Sequence, residues 1–139
     1  MRIYSLALAV LCCLPVCANA GGGVVAPAST VVMAEDGARL SSQRPARLSL
    51  IRLPANRGGV LKVSGHISVS GQANLVLWAR VEGADYFSRL PALQGLTDVS
   101  AEPFVIPFNA DTHTVSDLFL EVELLTPGEV TLSDVALLP

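Results

Sequence analysis

From residue 60 onward the chain alternates apolar and polar residues with a period of two rather than 3.6, and nothing else constrains its fold so strongly. In residues 60–70, Leu61, Val63, Gly65, Ile67 and Val69 fall on one side. Val60, Lys62, Ser64, His66, Ser68 and Ser70 fall on the other. Successive side chains of a strand point to opposite faces, so this pattern predicts a strand over a core with water behind it. Residues 75–82 repeat it, with Leu75, Leu77, Ala79 and Val81 against Val76, Trp78, Arg80 and Glu82. Residues 116–125 do so again, with Leu118, Leu120, Val122 and Leu124 against Asp117, Phe119, Glu121 and Glu123.

Shorter runs complete the strand set. Residues 29–33 are rich in β-branched side chains, and Glu35-Asp36-Gly37 is a turn signal. Residues 46–53 place Ala46, Leu48, Leu50 and Arg52 on one face, and Arg47, Ser49, Ile51 and Leu53 on the other. Gly71-Gln72-Ala73-Asn74 turns the chain, and residues 83–101 read as a long irregular connection. Residues 104–108 form a strand whose Pro107 favours an edge or a bulge. Residues 126–129 read as a tight hairpin link to a closing strand over 130–138. Eight or so short strands with turns at roughly ten-residue spacing predict an all-β, antiparallel two-sheet β-sandwich.

The N-terminus belongs to a different logic. Met1-Arg2, an apolar run over residues 3–16 and Ala18-Asn19-Ala20 make a secretory signal peptide cleaved after Ala20. Cys17 invites a lipoprotein reading, but Val16 is not the small residue a lipobox needs before its cysteine. Residues 21–28 then form a flexible lead, and residues 29–139 a single sandwich domain. Cys12, Cys13 and Cys17 all leave with the leader, which removes disulfides, thiolate metal sites and cysteine nucleophiles together. The remaining eight basic and twelve acidic residues include no basic run, so nucleic acid and anionic lipid are not expected partners. Nor is the apolar run long enough for an integral membrane span. The expected location is the periplasm or the extracellular space.

In its last two-thirds the chain resembles the carbohydrate-binding-module-like, galactose-binding-type jelly rolls. The resemblance is carried by Trp78-Ala79-Arg80-Val81-Glu82-Gly83, then Gly95-Leu96-Thr97-Asp98-Val99, then Val105-Ile106-Pro107-Phe108. The hydrophobic strand over 118–125 and the finish Gly128-Glu129-Val130-Thr131-Leu132-Ser133-Asp134-Val135 complete the order. Two positions depart from the pattern: Val99 stands where a tryptophan is usual and Thr131 where an aromatic is common. The resemblance implies a jelly-roll fold and a non-enzymatic binding role.

A carbohydrate site needs an aromatic face for the apolar side of a sugar ring and polar groups converging on its hydroxyls. Trp78, Arg80, Glu82, Tyr86 and Asp98 are the residues that could supply it. The competing reading packs Trp78 beneath a loop at 86–96 and pairs Arg80 with Glu82, Asp98 or Asp134. No histidine spacing suggests a transition-metal site, and no Ser-His-Asp order suggests a nucleophile. No cofactor is expected; a structural Ca²⁺ would draw on Asp98, Glu102 and Asp134. Glu121 and Glu123 lie about 7 Å apart along one strand face, a spacing hydrolases use, but opposite a leucine row they read as wetted residues that protect an edge. The expectation is an exported binding module for glycan or another envelope component. The alternative is an accessory envelope protein that works through protein–protein contact.

Overall fold

The computed structural model describes residues 29–83 and 87–139. The signal-peptide and lead assignments over 1–28 lie outside the described residues. Among the described residues there are nine strands and no helix. They are β1 (Ser29–Met33), β2 (Ala38–Ser42), β3 (Ala46–Arg57), β4 (Val60–Ser70) and β5 (Gln72–Val81), followed by β6 (Phe87–Thr97), β7 (Glu102–Asn109), β8 (Val115–Leu124) and β9 (Gly128–Leu137).

All the strand pairs are antiparallel and form two sheets, one in the order β1-β2-β9-β4-β7 and the other β3-β8-β5-β6. With β1 set aside, the eight remaining strands form two four-stranded layers in jelly-roll order, β2-β9-β4-β7 over β3-β8-β5-β6. Only β1–β2 and β5–β6 are joined as hairpins within a sheet; every other connection carries the chain across the sandwich.

The core lies between the inward rows that the alternation predicts. Leu61, Val63, Ile67 and Val69 of β4 are buried, as are Leu75, Leu77 and Ala79 of β5 and Leu118, Leu120, Val122 and Leu124 of β8. Leu40, Val130 and Leu132 close the core from β2 and β9. Each of these leucines contributes about 1.5–3 kcal/mol by leaving water.

Four local expectations are corrected. Residues 83–101 are not an irregular connection: β6 fills most of that span and pairs with β5. Its alternation is hidden because the ladder slips on both sides of Leu75, opposite a stretch containing Pro91 and Gly95. In β3 the register slips between Ser49 and Ile51. This bulge leaves Leu50 buried, keeps Ile51 and Leu53 packed against the core, and turns Arg52 outward with Arg47 and Ser49. Residues 126–129 do not close a hairpin, because β8 and β9 belong to different sheets. Finally, β8 lies between β3 and β5, so Glu121 and Glu123 guard no edge. Pro107, by contrast, does sit on an edge strand, β7.

The crossings at one end of the sandwich are fastened to one another. Gly71 joins β4 to β5 at φ +100°, and a Cβ there would meet Thr126 Oγ1 at 2.6 Å. Gly71 N–H donates to Asp98 Oδ1 at 2.8 Å, and Gly71 O accepts from Asp98 N at 3.1 Å. Gln72 N–H donates to Thr126 Oγ1 at 2.9 Å, and Gln72 O accepts from Leu125 N at 2.8 Å. Three separate crossovers therefore hold each other in place.

Candidate functional site

The outer face of the four-stranded sheet carries the side chains with binding chemistry. Strand alternation puts Trp78 and Arg80 of β5 there because Leu77, Ala79 and Val81 fill the core. The same parity turns Asp117, Phe119, Glu121 and Glu123 of β8 outward. Pairing then sets these side chains in rows across the sheet. One row runs Arg52–Phe119–Trp78–Arg89. The next runs Ser49–Glu121–Val76–Pro91.

Trp78 and Phe119 are thus direct cross-strand neighbours at the middle of the sheet. Together with Ser49 and Glu121 they line an open groove of about 350 Å³. Val76 also points out of the core, yet it is 1 % exposed. On the β6 side the Arg89 guanidinium lies 5.8 Å from the centroid of the Trp78 ring, a cation–π distance.

Charges on this face are arranged unevenly. Arg52 donates through Nε to Asp117 Oδ1 at 2.8 Å, with Nη2 also 2.8 Å from the same oxygen. Asp117 is buried, at 5 % exposure, so a guanidinium compensates a carboxylate largely withdrawn from water. Glu123 lies 3.5 Å from Arg47 Nη1 through one oxygen and 3.4 Å from Arg89 Nη2 through the other. Between these two acids on β8, Glu121 makes no ion pair among the described residues. Its Oε1 is buried and accepts no hydrogen bond among them.

The candidate residues read from sequence separate on this framework. Trp78 lies in the groove, beside strand β6 rather than beneath a loop. Arg80 is exposed on the same face, opposite Asp117 and Phe87, and makes no ion pair among the described residues. Glu82 is exposed in the turn after β5, where its N–H donates to Thr114 O at 2.8 Å. Tyr86 lies outside the described residues. Asp98 is not brought to the groove: the adjoining pair Gln72–Thr97 is six residues along β5 from Trp78, about 20 Å. Its carboxylate instead caps the Gly71 crossover.

Ser49, Phe119, Glu121 and Arg89 join Trp78, although sequence reasoning assigned none of them a site role. For Phe119 a signal exists, since an aromatic in the outward register of an otherwise acidic row is conspicuous. The other three depend on which strands pair. Asp98, Glu102 and Asp134 do not gather as a Ca²⁺ site would require, and no group of three metal-ligating side chains occurs among the described residues. His66 Nδ1 lies 3.2 Å from Asp134 Oδ2 without hydrogen-bond alignment, and His113 is exposed. No helix among the described residues is long and apolar enough to cross a membrane.

No protein-family model matches the chain, and no curated protein sequence matches it. Among solved structures it is similar to a carbohydrate-binding module of the CBM4 group, with 13% identity and a TM-score of 0.55 over 80% of this chain and 77% of that one. A second similarity is to the CBM22-1 xylan-binding domain of Xyn10C from Paenibacillus barcinonensis, with 13% identity and a TM-score of 0.49 over 78% of each chain. At this identity the likeness is one of fold. The chain has the β-sandwich of a carbohydrate-binding module, and the CBM4 structure carries that conclusion.

Proposed function

We propose that this protein is an exported, non-enzymatic glycan-binding module whose site is the Trp78–Phe119 groove. The observation that carries the reading is the placement of two aromatic side chains side by side on an outer sheet face, in a groove that also offers a hydroxyl and a carboxylate. Aromatic faces take up the C–H surface of a sugar ring, and the polar groups at the rim orient its hydroxyls. Ser49 and Glu121 flank the rings, and Arg80 reaches solvent one strand repeat beyond Trp78 on the same face. The sandwich provides the stiffness such a site requires, since β5 and β8 are the two central strands of their sheet. The N-terminal apolar run followed by Ala18-Asn19-Ala20 supports export, and the absence of a nucleophile–base order from the sequence supports binding without turnover.

Isothermal titration against a panel of soluble oligosaccharides, with the wild-type protein and Trp78→Ala, tests the proposal. The expected result is saturable binding that weakens by about tenfold or more in the variant, as for loss of a stacked aromatic face. Equal binding by both proteins would overturn the site, and no binding to any glycan would overturn the function.

A further inference from the structure

Strand β8 presents three carboxylates to the outer face, and two of them have arginine partners. Asp117 is held by Arg52, and Glu123 lies between Arg47 and Arg89. Glu121, midway between them, has none among the described residues, and it is the one that lines the groove with Trp78, Phe119 and Ser49. One of its oxygens is buried without a hydrogen-bond donor among the described residues. An ionised carboxylate without a cationic neighbour is stabilised when one is brought beside it, and an ammonium does this more strongly than a neutral hydroxyl. The arginines of the face do not fill this role: Arg47, Arg52 and Arg89 are turned to the other two acids, and Arg80 stands opposite Asp117, one pair of residues beyond Phe119.

We infer that the groove selects a glycan bearing a free, protonated amine, an amino sugar of the glucosamine type without its acetyl group, with the ammonium placed on Glu121. The inference rests on the glycan-binding reading above and deepens it. The geometry suits this ligand in two respects. An ammonium seated on Glu121 lies in the same groove that Trp78 and Phe119 line, so the sugar and its amine are held together. A sugar ring lying across Trp78 and Phe119 spans the two central strands, about 5 Å apart, so an amine at its rim falls within reach of Glu121, the next outward-facing residue along β8. An acetylated amine loses both the charge and two of its three donors. A neutral β-glucan presents only hydroxyls to the same carboxylate.

The experiment compares three oligosaccharides of equal length by isothermal titration at a pH where the amine is protonated. They are a glucosamine oligomer, its fully N-acetylated counterpart and a neutral β-1,4-glucan oligomer. The wild-type protein is expected to bind the glucosamine oligomer about tenfold more tightly than either of the others. That preference should shrink as salt is raised. Glu121→Gln keeps the shape of the side chain and removes its charge; it should bring the affinity for the glucosamine oligomer down to that for the other two. Equal affinity for all three sugars, or a preference that survives in Glu121→Gln, overturns this inference and leaves the glycan site standing. Failure of all three to bind overturns both. Matching thermal melts of wild type and Glu121→Gln ensure that a lost preference reports the charge and not the fold.

Discussion

Gly128 stands at the start of β9, where the chain has just crossed from one sheet to the other. A Cβ at this position would lie 1.9 Å from the carbonyl oxygen of Ser70 and 2.9 Å from its carbon. Its φ is not in the left-handed region, so alanine there meets no torsional penalty; the whole cost is collision with backbone. Ordinary contact requires the Ser70 carbonyl to retreat by about 1.5 Å, and backbone in a ladder cannot rotate aside as a side chain would. Ser70 is the last residue of β4 and is paired with Glu129. The next residue, Gly71, is tied to Asp98 on one side, and Gln72 is tied to Thr126 and Leu125 on the other. Overpacking of this kind costs about 1–3 kcal/mol, and losing one or two of the fastening hydrogen bonds adds about 1 kcal/mol each. We therefore expect Gly128→Ala to cost about 3 kcal/mol, or about 10 °C in Tm for a domain of this size.

Gly59→Ala is the control. Gly59 has φ +75° and nothing within 4 Å of its would-be Cβ, so alanine there suffers only the left-handed torsional cost, about 1–2 kcal/mol. Thermal and urea unfolding followed by circular dichroism would rank the two variants, with an unchanged urea slope marking a true stability effect. If Gly128→Ala melts as high as Gly59→Ala, the account of the crossover as a backbone close-packing point is wrong.

Other outcomes follow from the same geometry. Arg52→Ala strips the buried Asp117 of its guanidinium and should destabilise by about 1–3 kcal/mol, whereas Arg47→Ala, where Glu123 keeps Arg89, should cost less than about 0.5 kcal/mol; chemical denaturation of each variant decides. Ala101 is held at φ +46° with its N–H on Ser68 Oγ at 2.8 Å, so Ala101→Gly should raise stability by about 0.5–1 kcal/mol, read as a higher Tm. Leu77→Ala, in the fully buried middle of β5, should cost about 2–5 kcal/mol by urea unfolding without altering the strand content.

Period-two burial is a local property, and so the amino-acid order alone determined the all-β class, the inward rows of β4, β5 and β8, and the outward position of Trp78. It also left the proline-bearing strand a choice of edge or bulge, and β7 lies on an edge. Tertiary structure decided what depends on register. A single slip at Leu50 reverses the face of Arg52 and delivers it to Asp117, and slips in the β5–β6 ladder conceal β6 inside what reads as a loop. The neighbour of Trp78 in the groove, Phe119, is on β8, and the carboxylate beside them acquires its isolation only because Arg47, Arg52 and Arg89 arrive from two other strands to neutralise its neighbours. Which strands share hydrogen bonds, and at which offset, is settled by packing the two sheets against each other; that is a long-range free-energy minimum with no signature in any window of adjacent residues.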